Sequence, residues 1–534
     1  MKRLACLLAL ASIPACTDVA DLYDGEQIKT DDGKADASAL ATFVDAEFSG
    51  KVTVDSSWDD NQTIQDQLLY TVGQLNGMTA VGRVDKVVLT NVKKTTTGGK
   101  TQIAYTAKLP IAWGKKTVPT TIEIYLPLDI SSAGQTAFAT KYGPGCTDGA
   151  DEAIDSGDMF YFFRPAGSRC KFDAADISQS TATLSPSPIQ TTGKFPEYDK
   201  VWEDGTLNVV AIFGKFMNGA TSGDVGIDGY NEFVAAMKHD LGTHNLTTIP
   251  ATIPTDPGTK VTDIEMSATL PDGKKIHVLA LLTDNLDDGL SQPAFRKRYE
   301  DASTRADFIV YNGHAGLGTN IRALASAGKW VAGQYVVVFM NGCDSYAYID
   351  GSLFSAHKAV NPDDTTGFKY IDIVNNAEPA FFASMAGATM SMFRGLLAFD
   401  NPQTYEQIFR TVDSNQVVLV VGEQDNKFTP GGGGTAQPWT GLSDHGTLAK
   451  SATKTWATPV VAAGTYAFDM TGTGDADLYV RVGKAPTTAT FDCRPYKTGS
   501  NESCSVTLAQ PSTINVMVRG YASSSTFSLT GTKQ

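Results

Sequence analysis

The chain has little histidine, few cysteines and fewer basic than acidic side chains. Its 534 residues include 6 His and 7 Cys, and 43 Lys and Arg stand against 58 Asp and Glu, a net charge of -15. Nucleic acids and anionic membrane surfaces both attract positive protein surface, so a charge of this sign disfavours such partners. We therefore expect no nucleic-acid partner and no polybasic contact with a membrane.

The sequence also lacks the common motifs for metal and phosphate chemistry. There is no HExxH, and His239 and His244 are five residues apart around a glycine, which is not a helical zinc spacing. The glycine run 430–434 lacks the Lys and Ser/Thr of a phosphate-binding loop. We therefore predict no metal and no cofactor, and we interpret the other weak candidates as solvated or structural histidines: His277, His357 and His445.

No apolar run beyond the N-terminus is long enough to span a bilayer, and the nearest candidate, PAFFASMAGATMSMF, is followed by Arg394. At the N-terminus Lys2 and Arg3 precede LACLLALASIPA, which has the layout of a secretory signal. Export makes disulfides permissible in the mature chain.

The end of this segment, IPAC at 13–16, resembles a bacterial lipoprotein cleavage box, in which the cysteine becomes the lipid-carrying first residue of the mature protein. The alternative is an ordinary secretory signal cleaved near Ala15. The resemblance implies lipidation of Cys16 and a place in the cell envelope, and the alternative implies secretion. The lipid on Cys16 would be the protein's membrane contact, with the folded part in water.

Composition and hydrophobic period divide the chain into segments of different character. Residues 17–42 are rich in Asp, Ala, Gly and Lys, whereas 43–200 alternate apolar and polar residues as half-buried antiparallel strands do. The predicted organisation is a signal peptide over 1–16, a flexible tether over 17–42, a β-rich domain over 43–200, an α/β domain over 206–428, a Gly-rich linker over 429–449 and a β-sandwich over 450–534.

The α/β domain is predicted from apolar runs without alternation, each separated from the next by a segment of helical spacing. TLNVVAIFGKF, KKIHVLALLTDN, ADFIVYNGHAG and YVVVFMNGC are such runs. They predict a mainly parallel sheet covered by helices on both faces. Sites in such sheets form at the carboxyl ends of strands, where His314 and Cys343 stand.

Four of the cysteines flank two loops and are predicted to form disulfides. The simplest pairing joins Cys146 to Cys170 and Cys493 to Cys504, although four cysteines permit three pairings. Under each pairing Cys343 is predicted to stay outside the disulfides. Such a residue in an exported protein is either a buried hydrophobe or a reactive group.

The segments YNGHAGLG and MNGCDSY carry the residue types needed for nucleophilic catalysis. A cysteine nucleophile acts as a thiolate beside a base, and N–H groups in Gly-containing turns can stabilise an oxyanion. The alternative is that these are two ordinary α/β turns in which His and Cys follow a sterically required Gly.

Two strands ending in a Gly-His and a Cys motif, 29 residues apart in this order, resemble the caspase-like cysteine peptidases, above all their gingipain-like and CHAT-like branches. YNGHAG is similar to the Tyr-x-Gly-His-Gly of those branches. EPAFFASMAGATMSMFRG resembles the helix, turn and strand that follow their nucleophile. The resemblance covers roughly 206–428 and implies a caspase-like α/β fold.

Transferred residue by residue, the resemblance implies Cys343 as nucleophile and His314 as general base and acid. The backbone N–H groups of Gly313 and Cys343 would form the oxyanion hole. Ala315 stands where the family has Gly, and fits only if its φ is negative. Asp400 is a candidate for the specificity pocket, and its other interpretation is a solvated loop aspartate.

The C-terminal stretch GTGDADLYVRVGKAPTTATFDC with the later INVMVRGY closely resembles the bacterial pre-peptidase C-terminal domain, a small β-sandwich appended to many secreted peptidases. Asp475 and Asp477 are candidate calcium ligands there, and the commoner interpretation is that they cap turns.

The preferred hypothesis is an exported, lipid-anchored cysteine endopeptidase that hydrolyses polypeptides through an acyl-enzyme, with a β-rich domain that inhibits or positions the catalytic one. The alternative is a catalytically inactive surface lipoprotein that binds or adheres through a caspase-like scaffold. A third class, carbohydrate-binding proteins, requires exposed aromatic platforms.

Overall fold

The computed structural model describes residues 41–534, apart from 58, 115–116, 149–154, 158, 189–192, 414–415, 431–436 and 509–510. The predicted signal peptide with Cys16 and the predicted tether up to residue 40 lie outside the described residues. Within the described part of the chain, no helix is both long enough and apolar enough to cross a membrane.

The described residues form three sheet-containing regions along the chain. The strands are β1 Thr42–Val54, β2 Ala80–Gly82, β3 Val88–Thr97, β4 Lys100–Trp113, β5 Thr121–Pro127, β6 Ile177–Pro186, β7 Thr206–Gly214, β8 Thr247–Ile249, β9 Asp263–Thr269, β10 Lys275–Thr283, β11 Phe308–Asn312, β12 Val336–Asn341, β13 Ile371–Asn376, β14 Val418–Val421, β15 Leu442–Ala449, β16 Thr453–Ala457, β17 Gly464–Thr471, β18 Ala476–Val482, β19 Glu502–Leu508, β20 Ile514–Gly520 and β21 Ser524–Lys533. The α-helices are α1 Asp60–Leu68, α2 Tyr70–Asn76, α3 Ser132–Cys146, α4 Met159–Phe162, α5 Tyr198–Val201, α6 Val225–Leu241, α7 Leu286–Ser291, α8 Pro293–Ser303, α9 Thr319–Ala327, α10 Ser352–Val360, α11 Phe382–Leu397 and α12 Tyr405–Phe409.

The N-terminal region is an antiparallel sheet of order β2-β4-β1-β6-β5, with β3 also paired to β4. Buried and exposed residues alternate along β4 and β5, as the period-two pattern predicts for a sheet with one face in the core. Helices α1 to α4 lie in the same region and were not predicted. A disulfide joins Cys146 at the end of α3 to Cys170, as predicted.

The central region is an eight-stranded sheet of order β14-β13-β12-β11-β7-β10-β9-β8. Its five middle strands, β13 to β10 in this order, run parallel, and antiparallel strands complete both edges. All residues of β11 and β12 are buried. Strands covered on both faces have no polar side to show, which is why their sequences are continuous apolar runs.

Two features of the central region differ from the predictions. Strand β13 was not identified, and the strand expected at the end of EPAFFASMAGATMSMFRG belongs to helix α11 instead. The buried residues of α11 include Met385, Thr389, Met392 and Leu396, a spacing of four, three and four that marks one helical face. The period was hidden because almost every residue of this segment is small or apolar, and such a run does not distinguish helix from strand.

The C-terminal region is a β-sandwich with sheets of order β15-β21-β17-β19 and β16-β20-β18. Its core draws on both sheets, with Phe468 and Leu529 from the first and Leu478 and Val516 from the second. A disulfide links the cysteines at 493 and 504 of this sandwich, as predicted. The chain is therefore multidomain and β-rich, with a C-terminal sandwich.

The described chain divides into two compact units. One contains the sandwich and comprises Glu197–Asp199, Phe399–Pro402 and Lys427–Gln534. The other contains both the N-terminal and the central sheet, and a single apolar core includes Phe48 and Leu109 of the former with Ile212 and Val338 of the latter. The β-rich region and the α/β region are thus packed as one body.

Candidate functional site

The two predicted catalytic residues follow neighbouring strands of the central sheet. Strands β11 and β12 pair in parallel, and their last residues, Asn312 and Asn341, are register partners. Each is followed by a glycine and then by His314 or Cys343. Because the carboxyl ends of parallel strands lie at the same edge of a sheet, both loops leave the sheet side by side.

The two loops touch through their backbones at Gly342. A Cβ added there would stand 2.8 Å from the carbonyl oxygen of Gly313 and 3.1 Å from the nitrogen of Ala315. Both distances are shorter than ordinary contacts of a side-chain carbon, so glycine is required by this close approach. The sequence predicted a functional pair of loops here, and the structure brings these loops into contact.

The imidazole of His314 is oriented by a backbone carbonyl. Its Nε2 lies 2.8 Å from the oxygen of Phe216, in the segment after β7, and Nδ1 is buried without a hydrogen-bond partner among the described residues. A carbonyl oxygen can only accept, so Nε2 carries a proton donated to Phe216. In the neutral imidazole, Nδ1 is then the basic nitrogen.

Two aromatic rings flank this imidazole. The ring centroids of Phe216 and Phe382 lie 5.4 Å and 5.0 Å from that of His314. The buried side chain of Asn320 also donates to the His314 carbonyl over 2.6 Å. The orienting group that the sequence did not reveal is therefore the Phe216 carbonyl, which no side-chain motif could have indicated.

The side chain of Cys343 lies against the same segment that supplies Phe382. It is 3 % exposed, and its Sγ lies 3.5 Å from the carbonyl oxygen of Ala380. Cys343 is also disulfide-bonded in the structure. The prediction that it stays outside the disulfides is therefore wrong for this structure.

The backbone N–H groups of Gly313 and Ala315, near the expected oxyanion hole, differ in whether they make a hydrogen bond. The N–H of Gly313 donates to the Asn341 carbonyl over 3.2 Å, and its role in an oxyanion hole stays a prediction. Ala315 has φ of -65°, the negative value that an alanine requires at this position. Its N–H makes no hydrogen bond within the described residues, so it is available as a donor in the turn after β11.

A ladder of buried amides lies beneath the two loops. Asn341 donates from Nδ2 to Oδ1 of Asn312 over 2.7 Å, and Asn376 donates to Oδ1 of Asn341 over 3.0 Å. Thr389 of α11 also donates to Oδ1 of Asn312 over 3.0 Å. These residues were missed, although an Asn-Gly pair before both His314 and Cys343 was a visible signal.

Asp344 directly follows Cys343 in the chain. It is fully buried and has the left-handed conformation φ 47°, ψ 30°. Its carboxylate accepts from Nδ2 of Asn76 over 2.6 Å, and burial raises its pKa to about 7. A carboxyl group with a pKa near neutrality beside a candidate nucleophile was not visible in the sequence.

Asp400 is an exposed turn residue that follows the end of α11. The strand proposed before it is helical, so the local framework on which it was assigned to a specificity pocket is different. Its role in specificity stays a prediction. The candidate lipidation site Cys16 lies outside the described residues.

The acidic residues of the sandwich face nitrogen donors. Oδ1 of Asp475 accepts from the Gly499 N–H over 2.9 Å, and Oδ2 of Asp477 lies 3.0 Å from the Arg494 guanidinium. Within the described part of the chain, no group of three or more His, Cys, Asp or Glu side chains is placed to hold a metal ion. Calcium binding stays an untested prediction.

Residues 454–520 match the family model described as the bacterial pre-peptidase C-terminal domain, which confirms the predicted likeness of the sandwich. The neutral protease of Vibrio proteolyticus is 57% identical over 51 residues, which are 10% of this chain and 8% of that protein. The extracellular protease of Xanthomonas campestris pv. campestris is 48% identical over 52 residues, again 10% of this chain and 8% of that protein. The solution structure of vEP C-ter 100 is 38% identical, covers 18% of this chain and 96% of that chain, and has a TM-score of 0.16.

The chain thus spans about 8% of the length of these two curated relatives. The match to the family model concerns the C-terminal region.

Proposed function

We propose that this protein is an exported peptidase whose central region is caspase-like and whose reduced Cys343 is the nucleophile. The observation that carries the proposal is the state of His314: its Nε2–H is held by the Phe216 carbonyl and its basic Nδ1 is unpartnered within the described residues, on a loop in contact with the Gly342–Cys343 turn. A base oriented by a third group beside a nucleophile is the arrangement needed for covalent catalysis.

The proposed reaction requires Cys343 as a thiol, so a disulfide at Cys343 must first be reduced. A thiol reductant supplies two electrons and two protons, which convert the disulfide into two thiols, and the reductant becomes a disulfide. Nδ1 of His314 then takes the proton from Sγ, and the thiolate forms a bond to the carbonyl carbon of a peptide.

The tetrahedral oxyanion is stabilised by backbone N–H groups, for which Ala315 and Cys343 are the candidates. When it collapses, the C–N bond breaks and the imidazolium returns its proton to the leaving amine. Water, deprotonated by the same imidazole, hydrolyses the thioester and regenerates the thiol. The substrate is therefore a polypeptide, and no cofactor enters the cycle.

Two further observations support an exported peptidase. Proteins that share the C-terminal segment are named proteases, and one of them is named extracellular. The N-terminal segment has the layout of a secretory signal, and we extend the proposal to lipidation of Cys16 and to a cell-envelope location. The central residues, rather than the shared sandwich, carry the proposed cysteine chemistry.

The test is digestion of a peptide library by the whole protein, with and without a thiol reductant. We expect cleavage by the reduced protein and a loss on the order of 10³-fold or more in Cys343→Ala. For His314→Ala we expect a loss of about 10²- to 10⁴-fold. His239→Ala, which changes a histidine with 86% exposure on α6, is the matched control and should cleave like the wild type. Equal cleavage by Cys343→Ala and the wild type would refute cysteine catalysis.

A second candidate function is that of an inactive surface lipoprotein that binds or adheres. The observation in its favour is that Cys343 is buried and disulfide-bonded in the structure. This function predicts that reduction leaves the library intact at every pH tested, whereas the reduced protein keeps its fold. The same digestion therefore separates the two functions.

A further inference from the structure

The segment that follows Cys343 packs against the N-terminal region rather than against the central sheet alone. The Arg83 guanidinium lies 5.3 Å from the ring centroid of Tyr346. Phe43 of β1 makes an edge contact with the same ring at 6.2 Å. The short 3-10 turn Ser345–Tyr348, which begins two residues after Cys343, is thus contacted by side chains of the N-terminal region.

A polar contact continues this interface to the residue next to Cys343. Asp344 is fully buried in a left-handed conformation, which Asp adopts more readily than most residues but at a higher energetic cost than glycine. Its Oδ2 accepts from Nδ2 of Asn76 over 2.6 Å. Asn76 is the last residue of α2 and lies 268 positions earlier in the chain.

Asn76 is itself oriented by an arginine of the same region. Nη2 of Arg164 donates to Oδ1 of Asn76 over 3.1 Å, and its Nη1 donates to the Gly73 carbonyl over 2.6 Å. The Arg164 Nε lies 3.3 Å from Oδ2 of Asp148. A guanidinium has donors only, so the amide oxygen of Asn76 must face Arg164 and its NH₂ group must face Asp344.

Ionisable groups from several elements surround the Asp344 carboxyl. Burial raises its pKa to about 7, whereas the hydrogen bond from Asn76, the charge of Arg164 and the hydroxyl of Tyr161 lower it. The carboxylate of Glu378 raises the pKa of Asp344, and the buried Tyr348 interacts electrostatically with the same carboxyl group. The Asn76 contact therefore counts most above neutral pH, where the carboxyl group carries charge.

We infer that Asn76 is a positioning residue for Cys343, and that the N-terminal region is a permanent part of the site rather than a pro-segment to be removed. The catalytic effect of Asn76 rests on the proposed function. Its effect on the position of the Cys343 backbone rests on the observed contacts alone. Loss of the Asn76 donor leaves a buried acceptor unpaired, which favours release of Asp344 from its left-handed conformation. Cys343 shares a peptide unit with Asp344 and must move with it.

Two substitutions in the whole protein test this inference. Asn76→Ala removes the donor to Asp344. Asn76→Asp keeps an oxygen for Arg164 but places a second carboxyl group against Asp344, and two such groups share one proton at low pH and repel each other at high pH. Asn61→Ala, which changes an exposed asparagine of α1, is the matched control.

The first readout is amide hydrogen exchange over 343–348, which does not depend on activity. At pH 8 we expect exchange about tenfold or more faster than in the wild type for both variants, with no change in the control. At pH 5, compared with the wild type at the same pH, Asn76→Asp should recover and Asn76→Ala should recover only in part, because the protonated Asp344 still lacks its donor. Wild-type exchange in both variants would overturn the inference, provided that thermal unfolding shows both to be folded.

The second readout is the peptidase reaction of the reduced protein. We expect kcat to fall about tenfold or more in Asn76→Ala with a smaller change in KM, and Asn76→Asp to regain activity as the pH is lowered. Proteolytic removal of the N-terminal region that left a more active enzyme would overturn the inference. If the wild type cleaves nothing, the proposed function fails, whereas the exchange data still decide whether Asn76 positions Cys343.

Discussion

The His314 loop and the Cys343 loop begin alike and are held differently. Each follows a parallel strand that ends in Asn-Gly, and the amides of Asn312 and Asn341 are hydrogen-bonded to each other. The His314 loop is then supported within the central region, by the Phe216 carbonyl and the Asn320 amide. The residue after Cys343 is supported from the N-terminal region, by Asn76.

This difference teaches that the two candidate catalytic groups depend on different parts of the chain. The position of the base is a property of the α/β layer alone. The position of the nucleophile also depends on a sheet that precedes it in sequence, in the same compact unit. Substitutions in the two sets of supporting residues should therefore have separable effects.

The largest expected effect is on the free energy of unfolding and comes from Asp344, the residue after Cys343. Asp344 has a folded pKa of about 7 against an ordinary value of 3.8, so between these values the folded protein binds more protons than the unfolded chain. Its stability contribution is fully present below pH 3.8 and is lost as the pH rises through 7. The difference in pKa corresponds to at most about 4 kcal/mol.

Asp344→Asn keeps an acceptor for Asn76 and removes the titration. We expect it to be more stable than the wild type at pH 8 and no more stable at pH 3.5, as measured by denaturant unfolding across this range. If the difference between the two proteins were the same at every pH, burial of the charged carboxylate would not be the cause.

The next effect concerns the contact between the two loops. Gly342→Ala places a Cβ 2.8 Å from the Gly313 carbonyl, so the loops must separate, at a cost of about 1–3 kcal/mol in unfolding free energy. Gly387→Ala in α11 has no atom within 4 Å of the added carbon and is the matched control, expected to be neutral or slightly stabilising. Similar losses of stability and activity in both variants would contradict a specific contact at Gly342.

The smallest expected effect tests directly whether the His314 loop and the Cys343 loop have separate supports. Asn320→Ala removes the donor to the His314 carbonyl and should cost about 1 kcal/mol. Hydrogen exchange should rise over 313–318 and stay unchanged over 343–348, the reverse of the result expected for Asn76→Ala. If either substitution loosened both loops equally, the supports would not be separate.

The fold was predictable where the local pattern carries a period. The alternation in β4 and β5 identified antiparallel strands, and the uninterrupted apolar runs of β7, β11 and β12 identified a parallel sheet. Where small and apolar residues fill every position, as in α11, the pattern has no period and the expected strand was wrong. The likeness of the sandwich was recognisable because its motif is contiguous.

The candidate site was predictable only in part. His314 and Cys343 were identified from their places after two strands, and the negative φ demanded of Ala315 is present. The Phe216 carbonyl, the Asn76 amide and the engagement of the Gly313 N–H were not predictable, because they are contacts of backbone atoms or of residues far apart in the chain.

The sequence by itself determined which segments are strands in a parallel layer and which polar residues end them, since the period and the glycines are local properties. Only the tertiary structure decided what surrounds those residues: which nitrogen of His314 is basic, why Asp344 has a raised pKa, and why the first sheet contacts the Cys343 turn. Burial and the pairing of distant groups arise when separate segments pack together, and no local pattern encodes them.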